Sequence, residues 1–357
     1  MNFTIFGYPK TGKTTLFNLL TGADIEVTSY GSGKKEPHRQ TCPIPDPRLE
    51  SLAALYPEKE KKPAHIDYID LAGMAFGEIK SESYLSHLRK ADGLAHVARG
   101  FRDPAVPHIR DEISPGLDIK GMEGEMILAD LMSVEARLEK LDIELKRGKT
   151  PEWEKEHGLL IRLKAELEQN IPVRDLTLVE AEEKFLRSFA LLSGKPLFHM
   201  VNVDEEDIPH LDRPEEFFSP SFKNSTVLAF CGKIEKEIQD LDPKEKILFL
   251  EEYGLKELSD ARFLRASYDL LDVITFFTIG KEEVKAWTIS RDIPAQEAAG
   301  EIHTDIQKGF IKAEVIRWKE LLDHGSFQAA REKAAVRLEG KTYPVQDGDV
   351  ILFRFSS

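Results

Sequence analysis

Gly7-Tyr8-Pro9-Lys10-Thr11-Gly12-Lys13-Thr14-Thr15-Leu16-Phe17 is the stretch whose reading decides the fold. It has the form G-x-x-x-x-G-K-[ST]. Asn2 to Phe6 (NFTIF) before it reads as a short buried strand, and Thr14 to Leu20 (TTLFNLL) after it reads as a helix. A glycine-bearing turn can match the bare pattern by chance; the strand before and the helix after are the context that gives it a mechanism. Backbone N–H groups of such a loop, with the positive end of the helix, surround an anionic phosphate. Pro9, Lys10, Thr11, Gly12, Lys13, Thr14 and Thr15 are the expected phosphate-binding residues. Lys13 would reach the outer phosphates, and the Thr14 hydroxyl would ligate Mg²⁺.

Working outward, residues 1 to about 118 alternate strand-like and helix-like segments. HIDYIDLAGM is a second strand ending in Asp-Leu-Ala-Gly, Tyr84 to Ala91 (YLSHLRKA) a helix, and GLAHVARGF a third strand. PIPDPRLESLAALYP starts in proline-fixed turns and runs into an amphipathic helix, while the polar stretch Asp24 to Gln40 is expected to be mobile. This alternation predicts an α/β fold: a mostly parallel sheet with helices on its faces. The character changes near Met122. From Glu125 to Arg147 the pattern is helical, with Leu131, Val134, Leu138, Leu141 and Leu145 on a heptad seam. Gly148 to Pro151 breaks it, Thr150 offers an N-cap with Pro151 at the first helical position, and Leu160, Leu163 and Leu167 resume the spacing. The two helices predict an antiparallel hairpin inserted in the α/β domain, which resumes with PLFHMVNVDEED and STVLAFCGKI. From about residue 276, VKAWTI, a helix, KAEVI and QDGDVILFRF predict a small β-rich domain. The expected division is 1–121 and 196–275 for the nucleotide domain, 122–195 for the helical insertion and 276–357 for the C-terminal domain.

Three positions refine the chemistry. Asp70, at a strand end, can hold Mg²⁺ through water, and the Gly73 amide can meet a terminal phosphate. Met74 stands where the familiar GTPases have a glutamine that orients the attacking water, and it has no group able to do so. Asn202-Val203-Asp204-Glu205 stands where a GTPase shows Asn-Lys-x-Asp. The lysine is absent and the carboxylate belongs to Glu205, one methylene longer. Adenine, with its amino group, fits better than guanine, which needs an acceptor for two donors. Asn202, Val203 and Glu205, with Phe230, Cys231 and Gly232 as a closing loop, are the expected base-binding residues.

Composition bounds the rest. The chain has 357 residues, 41% of them hydrophobic, and a formal charge of −14, which argues against general attraction to nucleic acid. No run of about 18 apolar residues predicts a membrane span. The chain enters a strand without a basic-then-apolar leader, so a cytoplasmic location is expected. The two cysteines, Cys42 and Cys231, have neither metal nor disulfide spacing.

At this point the chain resembles the YchF-type Obg-like ATPases, a branch of the Obg-related P-loop GTPases. GYPKTGKTTLFNLLTG, EPHRQTCPIPDPRLESLA, DYIDLAG, HVARGF, the Asn202–Glu205 element, KAWTI, AAGEIHTDIQKGFIKAEVI and GKTYPVQDGDVILFRF carry the resemblance, which covers essentially the whole chain. It implies a P-loop G domain, an inserted coiled-coil arm and a C-terminal TGS domain of β-grasp fold. It also implies ATP as ligand, with GTP the weaker one, Mg²⁺ as cofactor, and the ribosome or its RNA–protein surface as partner in a regulatory role. A monomer is expected. The family implicates a histidine in the loop after the third strand, and His108 occupies that place as the candidate catalytic residue.

The chain also departs from the family. Lys10 replaces an Asn that helps hold K⁺ in related cation-activated enzymes. Lys34 aligns with a Thr that reaches Mg²⁺, and a charged lysine cannot ligate a metal. The segment after D-x-A-G is shortened to MAFGEIKSESYL. Nucleotide binding is therefore expected to be retained and hydrolysis to be slow. A GTPase, or an adaptor that binds nucleotide with negligible turnover, are the alternatives; a small-molecule kinase is disfavoured by the Asn202 element.

Overall fold

The computed structural model describes residues 1–26, 36–75, 77, 79, 81–110, 112–148, 150–217 and 224–356. These form two compact units: Asn2–Gln40 with Asp67–Phe263, and Met1 and Thr41–Ile66 with Leu264–Ser357.

In chain order the first elements are β1 (Asn2–Phe6), α1 (Lys13–Thr21), β2 (His38–Pro43), α2 (Pro47–Ala54), β3 (Glu60–Lys62), β4 (His65–Asp70), α3 (Glu82–Lys90) and β5 (Gly93–Arg99). There follow α4 (Pro115–Arg147), α5 (Pro151–Glu168), α6 (Glu180–Arg187), β6 (Leu197–Asn202), β7 (Thr226–Phe230) and α7 (Gly232–Gln239). One sheet has the order β2-β4-β1-β5-β6-β7. Its pairs β1–β4, β1–β5, β5–β6 and β6–β7 are parallel. The central strands β5 and β6 are buried throughout, as strands covered by helices on both faces must be. One face packs Phe6, Leu88, Leu94, Met122 and Met126 under α3 and α4. On β1 the neighbouring strands lie to either side, β4 and then β5, so the strand order reverses there. Crevices at the carboxyl ends of strands around such a reversal are where α/β sheets bind ligands.

The arm follows the seam. Val134, Leu141, Leu160, Leu163 and Leu167 are buried between α4 and α5, with Leu131 and Leu138 packed against them. Thr150 caps α5 by accepting from Trp153 N at 3.3 Å. The helix itself, however, begins ten residues before Glu125. Ser114 caps it and Pro115 opens it. Gly116, Gly121 and Gly124 lower helix propensity over this stretch and hide the start. The edge strands β2 and β3, short and polar, were also not expected; β2 takes up the last residues of the stretch expected to be mobile. Residues 27–35 of that stretch, including Lys34, lie outside the described residues.

The chain continues through α8 (Pro243–Glu252) and α9 (Ser259–Leu271), within which the second unit resumes at Leu264, to β8 (Val273–Ile279), β9 (Glu283–Ser290), α10 (Ala295–Ile302), β10 (Phe310–Arg317), β11 (Arg337–Glu339) and β12 (Asp349–Phe355). α8 itself belongs to the first unit. The second sheet runs β11-β10-β12-β8-β9-β3. Its β8–β9 and β10–β12 pairs are antiparallel and its β12–β8 pair parallel. Ala295, Ala298 and Ala299 of α10 lie on Phe276, Phe310 and Phe353, the small residues letting the helix sit close in the β-grasp manner. Among the described residues no helix is long and apolar enough to cross a membrane.

Candidate functional site

Parallel pairing brings the chemistry-bearing residues to one end of the sheet. Ile5 of β1 pairs Asp70 of β4, and Asn202 of β6 pairs both Arg99 of β5 and Phe230 of β7. The loop from Gly7 to Gly12 leaves β1 and enters α1 at that same end. Gly12 has φ +98°, and a Cβ there would lie 2.2 Å from Asn202 Nδ2, so both backbone and space exclude a side chain. Lys10 also takes a left-handed conformation, with φ +60°. Pro9 and Lys10 are half-buried on the loop, and Thr15 is half-buried in the first turn of α1. Thr11 is fully buried and donates its hydroxyl to Tyr8 O at 3.2 Å.

Lys13 and Thr14 point to different partners. Lys13 Nζ donates to Tyr8 O at 2.6 Å, spanning the loop from its far side. Burial pushes its ammonium down to about 8, with Asp70 opposing. Anionic phosphates placed at the loop would restore the charge. Thr14 Oγ1 donates to Asp70 Oδ2 at 2.8 Å. Asp70 is 3% exposed, and its Oδ1 has no hydrogen-bond partner among the described residues. Burial raises its pKa, opposed by the Thr14 hydrogen bond and the Lys13 charge. A buried carboxylate oxygen lacking a partner, next to a hydroxyl, fits a hard cation that keeps several waters, as Mg²⁺ does. Gly73 closes the far wall. A Cβ there would lie 2.6 Å from Pro9 Cα and 3.0 Å from Lys13 Nζ.

The base-side residues form a tight seam. Asn202 is buried; its Nδ2 donates to Thr11 O at 3.2 Å and its Oδ1 accepts from Gly232 N at 3.0 Å. It thus ties the phosphate loop to the start of α7, with both ends of its amide engaged. Val203, Phe230 and Cys231 are buried, and burial pushes the Cys231 thiol up to about 11. Gly232 leaves room for Thr15, whose Cγ2 would be 3.0 Å from a Cβ there. Glu205 differs: its side chain is 48% exposed, accepts from Tyr253 Oη at 3.1 Å and lies 3.9 Å from Lys233 Nζ.

His108 has a side chain only 4% exposed, and both ring nitrogens are committed. Nε2 pairs with Asp118 Oδ2 at 3.1 Å, and Nδ1 accepts from Arg110 N at 3.2 Å. Arg110 Nε donates to Asp118 Oδ1 at 3.0 Å. Burial raises the Asp118 pKa, with His108 and Arg110 opposing. Burial also raises the Tyr8 phenol's pKa, with Glu125, Arg110 and Asp118 acting on it, which sets this cluster beside the phosphate loop. Upstream, Arg99 gathers Phe101 O, Val106 O and Asp103 O at 3.0, 2.8 and 3.3 Å, fixing the loop that leads to His108. Arg99, Asp118 and Glu125, which accepts from Gly77 N at 2.6 Å, had no sequence signal beyond being charged. Met74 is 2% exposed in the core with Phe6 and Leu71. Residues 76, 78 and 80 of the shortened segment lie outside the described residues.

With this geometry in place, the comparisons with known proteins are concordant. A family model described as "50S ribosome-binding GTPase" matches residues 2–129. The YchF-GTPase C-terminal model, described as a protein of unknown function, matches residues 273–356. The chain is 37% identical over 360 residues to the ribosome-binding ATPase YchF of Bacillus subtilis (strain 168), covering 99% of this chain and 98% of the relative. It is 33% identical over 363 residues to Obg-like ATPase 1 of Oryza sativa subsp. japonica, covering 99% and 91%. The solved structure of the Schizosaccharomyces pombe YchF GTPase superposes with a TM-score of 0.82 at 26% identity, covering 99% of this chain and 97% of that one.

Proposed function

The chain belongs to the YchF family of Obg-like ATPases, and on that premise we propose that it binds ATP with Mg²⁺, hydrolyses it slowly, and uses the cycle to regulate its association with the ribosome in the cytoplasm. The observation that carries this reading is the Thr14–Asp70 pair beside the buried Lys13 ammonium, at the mouth of the loop. Loop amides and Lys13 would hold the phosphates. Thr14 and Asp70 would hold Mg²⁺, which when bound supplies positive charge against the β- and γ-phosphate oxygens. Glu205 supports adenine: its carboxylate can accept from the amino group, and Tyr253 already restrains it.

Slow turnover follows from two side chains. Met74 is packed in the core and offers no polar atom to a water. His108 has both nitrogens occupied and would have to leave Asp118 or Arg110 to act. Faster hydrolysis would then wait on a partner that rearranges this loop, which is how the ribosome would gate the cycle. GTP is the second reading, favoured by the word GTPase in the matching family model and in the fission-yeast structure.

Titration of the purified protein with non-hydrolysable ATP and GTP analogues tests the base assignment. GTP binding about tenfold tighter, or roughly 1.4 kcal/mol, would reverse it. Single-turnover hydrolysis in the unchanged protein and in His108→Ala tests the catalytic part. Turnover no faster than in solution would leave a nucleotide-gated adaptor, and an unchanged rate in the variant would remove His108 from catalysis. Sedimentation with ribosomes, with and without ATP, tests the coupling; co-sedimentation indifferent to nucleotide would overturn it.

A further inference from the structure

A line of polar side chains, closed to solvent, runs from beneath the phosphate loop to the root of the arm. His96 of β5 and His199 of β6 are register partners on adjacent strands, and their Nδ1 atoms lie 3.0 Å apart. His199 Nε2 is 3.1 Å from Glu123 Oε1, on the stretch of α4 that becomes the arm. The same oxygen pairs with Arg174, and Arg174 Nη1 donates to Ser193 O at 3.2 Å, where the chain comes back from the arm. Leu192 N and Ser193 N donate to Asp130, at 2.8 and 2.7 Å, further along α4. At the other end the His96 ring lies 5.5 Å from Phe6 and meets Tyr8 edge-on at 6.5 Å. A Cβ on Gly7 would be 3.2 Å from His96 Cδ2, so the imidazole directly backs the first residue of the loop.

The chemistry fixes every proton along this line. Burial pushes both imidazoles down, so both are neutral, although Glu123 opposes this at His199. Burial would raise the Glu123 pKa, but hydrogen bonds from His199 and Arg174 outweigh it, and the net shift is downward. An ionised carboxylate only accepts, so His199 carries its proton on Nε2. Its Nδ1 is then a lone pair and accepts from His96 Nδ1–H. His96 Nε2 remains an acceptor, and it has no donor among the described residues. The surrounding core is apolar: Phe6, Leu94, Met122 and Leu197. Apolar side chains of similar volume would serve the fold as well, because buried charges and polar groups carry a desolvation penalty that packing does not. What apolar residues would not supply is a fixed orientation carried from one end to the other.

We propose that His96 and His199 are positioning residues for the nucleotide reaction, and that with Glu123 and Arg174 they form a hydrogen-bonded line from the arm root to the His96 ring, which supports the phosphate loop by direct packing under Gly7. The proposal rests on the ATPase reading above. The locked tautomer holds the His96 ring under Gly7, which keeps the loop amides where the phosphates need them. Displacement of the loop by nucleotide is then felt at Arg174 and Ser193, two strands and a helix away.

The test compares the unchanged protein with His199→Leu and His199→Gln. Leu fills the space and breaks the chain. Gln can still accept from His96 and donate to Glu123. For each, urea unfolding, affinity for a non-hydrolysable ATP analogue, single-turnover hydrolysis and amide exchange at Val173, Leu192 and Ser193 with and without the analogue are measured. Unchanged protein is expected to show analogue-dependent protection at these three amides. His199→Leu is expected to unfold at a lower urea concentration, since it leaves the buried His96 Nδ1–H without its acceptor and takes one donor from Glu123, and where folded to bind the analogue within about threefold, while hydrolysis falls about ten- to a hundredfold and the protection disappears. His199→Gln is expected to keep both. Equal behaviour of the Leu and Gln variants would overturn the proposal, since a merely space-filling role does not distinguish them. Should the Leu variant not fold, absence of analogue-dependent protection in the unchanged protein overturns it equally. Unchanged protein that turns over no ATP overturns the ATPase reading instead; turnover in the unchanged protein with an unaffected Leu variant overturns only this inference.

Discussion

Asn202→Ala is expected to destabilise the nucleotide-binding unit when no nucleotide is present. Asn202 is 6% exposed, and its amide makes two hydrogen bonds to backbone, to Thr11 O at 3.2 Å and from Gly232 N at 3.0 Å. Alanine leaves both backbone groups buried without partners. Each such group costs about 1–3 kcal/mol, and partial relaxation brings the pair to roughly 2–3 kcal/mol. Asn202→Asp is a sharper companion. It still accepts from Gly232 N, but it sets a second oxygen against Thr11 O and buries a charge, so its loss should equal or exceed that of alanine. Urea unfolding of the nucleotide-free variants, followed by far-UV circular dichroism, reads the effect. ATP-analogue affinity should fall as well, because the loop loses its tether. Unchanged unfolding together with lost affinity would refute the reasoning, and would mean that Asn202 acts on the base alone.

Further outcomes are expected. Lys10→Gly should raise thermal stability, since a left-handed non-glycine residue costs about 1–2 kcal/mol at φ +60°. Hydrolysis by the unchanged protein should be no faster in K⁺ than in Na⁺, with the Lys10 charge standing in for the ion; strong K⁺ stimulation would count against that role. ATP-analogue affinity should weaken by up to about tenfold per pH unit above 8, because the buried Lys13 ammonium has fallen to about 8 and must regain its proton to meet phosphate. In nucleotide-free protein the sign is opposite: the unfolded chain keeps that proton up to the ordinary 10.5, so this group favours the fold as pH rises from 8 toward 10.5. Calorimetry showing no proton uptake at pH 9 would contradict both statements.

The parts of the molecule that were legible in the sequence are those fixed by local rules. Gly12, Lys13 and Thr14 announce a loop because their spacing, with a strand before and a helix after, is itself the mechanism. The leucines of the arm announce their partners because a heptad seam has only one apolar face to bury. The start of α4 was not legible, because three glycines mask a helix that tertiary contacts at Asp118, Glu123 and Asp130 hold in place. Asn202 was read as a base contact from its position at a strand end. Its tie between Thr11 and Gly232 depends on residues 191 and 30 positions away, which no local pattern encodes. The same holds for His96 and His199, which in the sequence are two isolated histidines inside apolar strands and in the fold are neighbours.

One consequence of α4 is mechanical. It is a single helix of 33 residues, about 50 Å long at ~1.5 Å per residue. Its near end is anchored through Asp118 and Glu125, and its far end is the tip of the arm. With Asp130, held by the Leu192 and Ser193 amides, as fulcrum, Glu125 is about 8 Å along the rod on one side and Arg147 about 26 Å along it on the other. A displacement of about 1 Å delivered to Glu125 by the Gly77 amide it holds becomes about 3 Å at Arg147, in the opposite sense. The leverage is geometric, so it works equally in reverse: a load applied at the tip reaches the nucleotide end with its force multiplied by the same ratio.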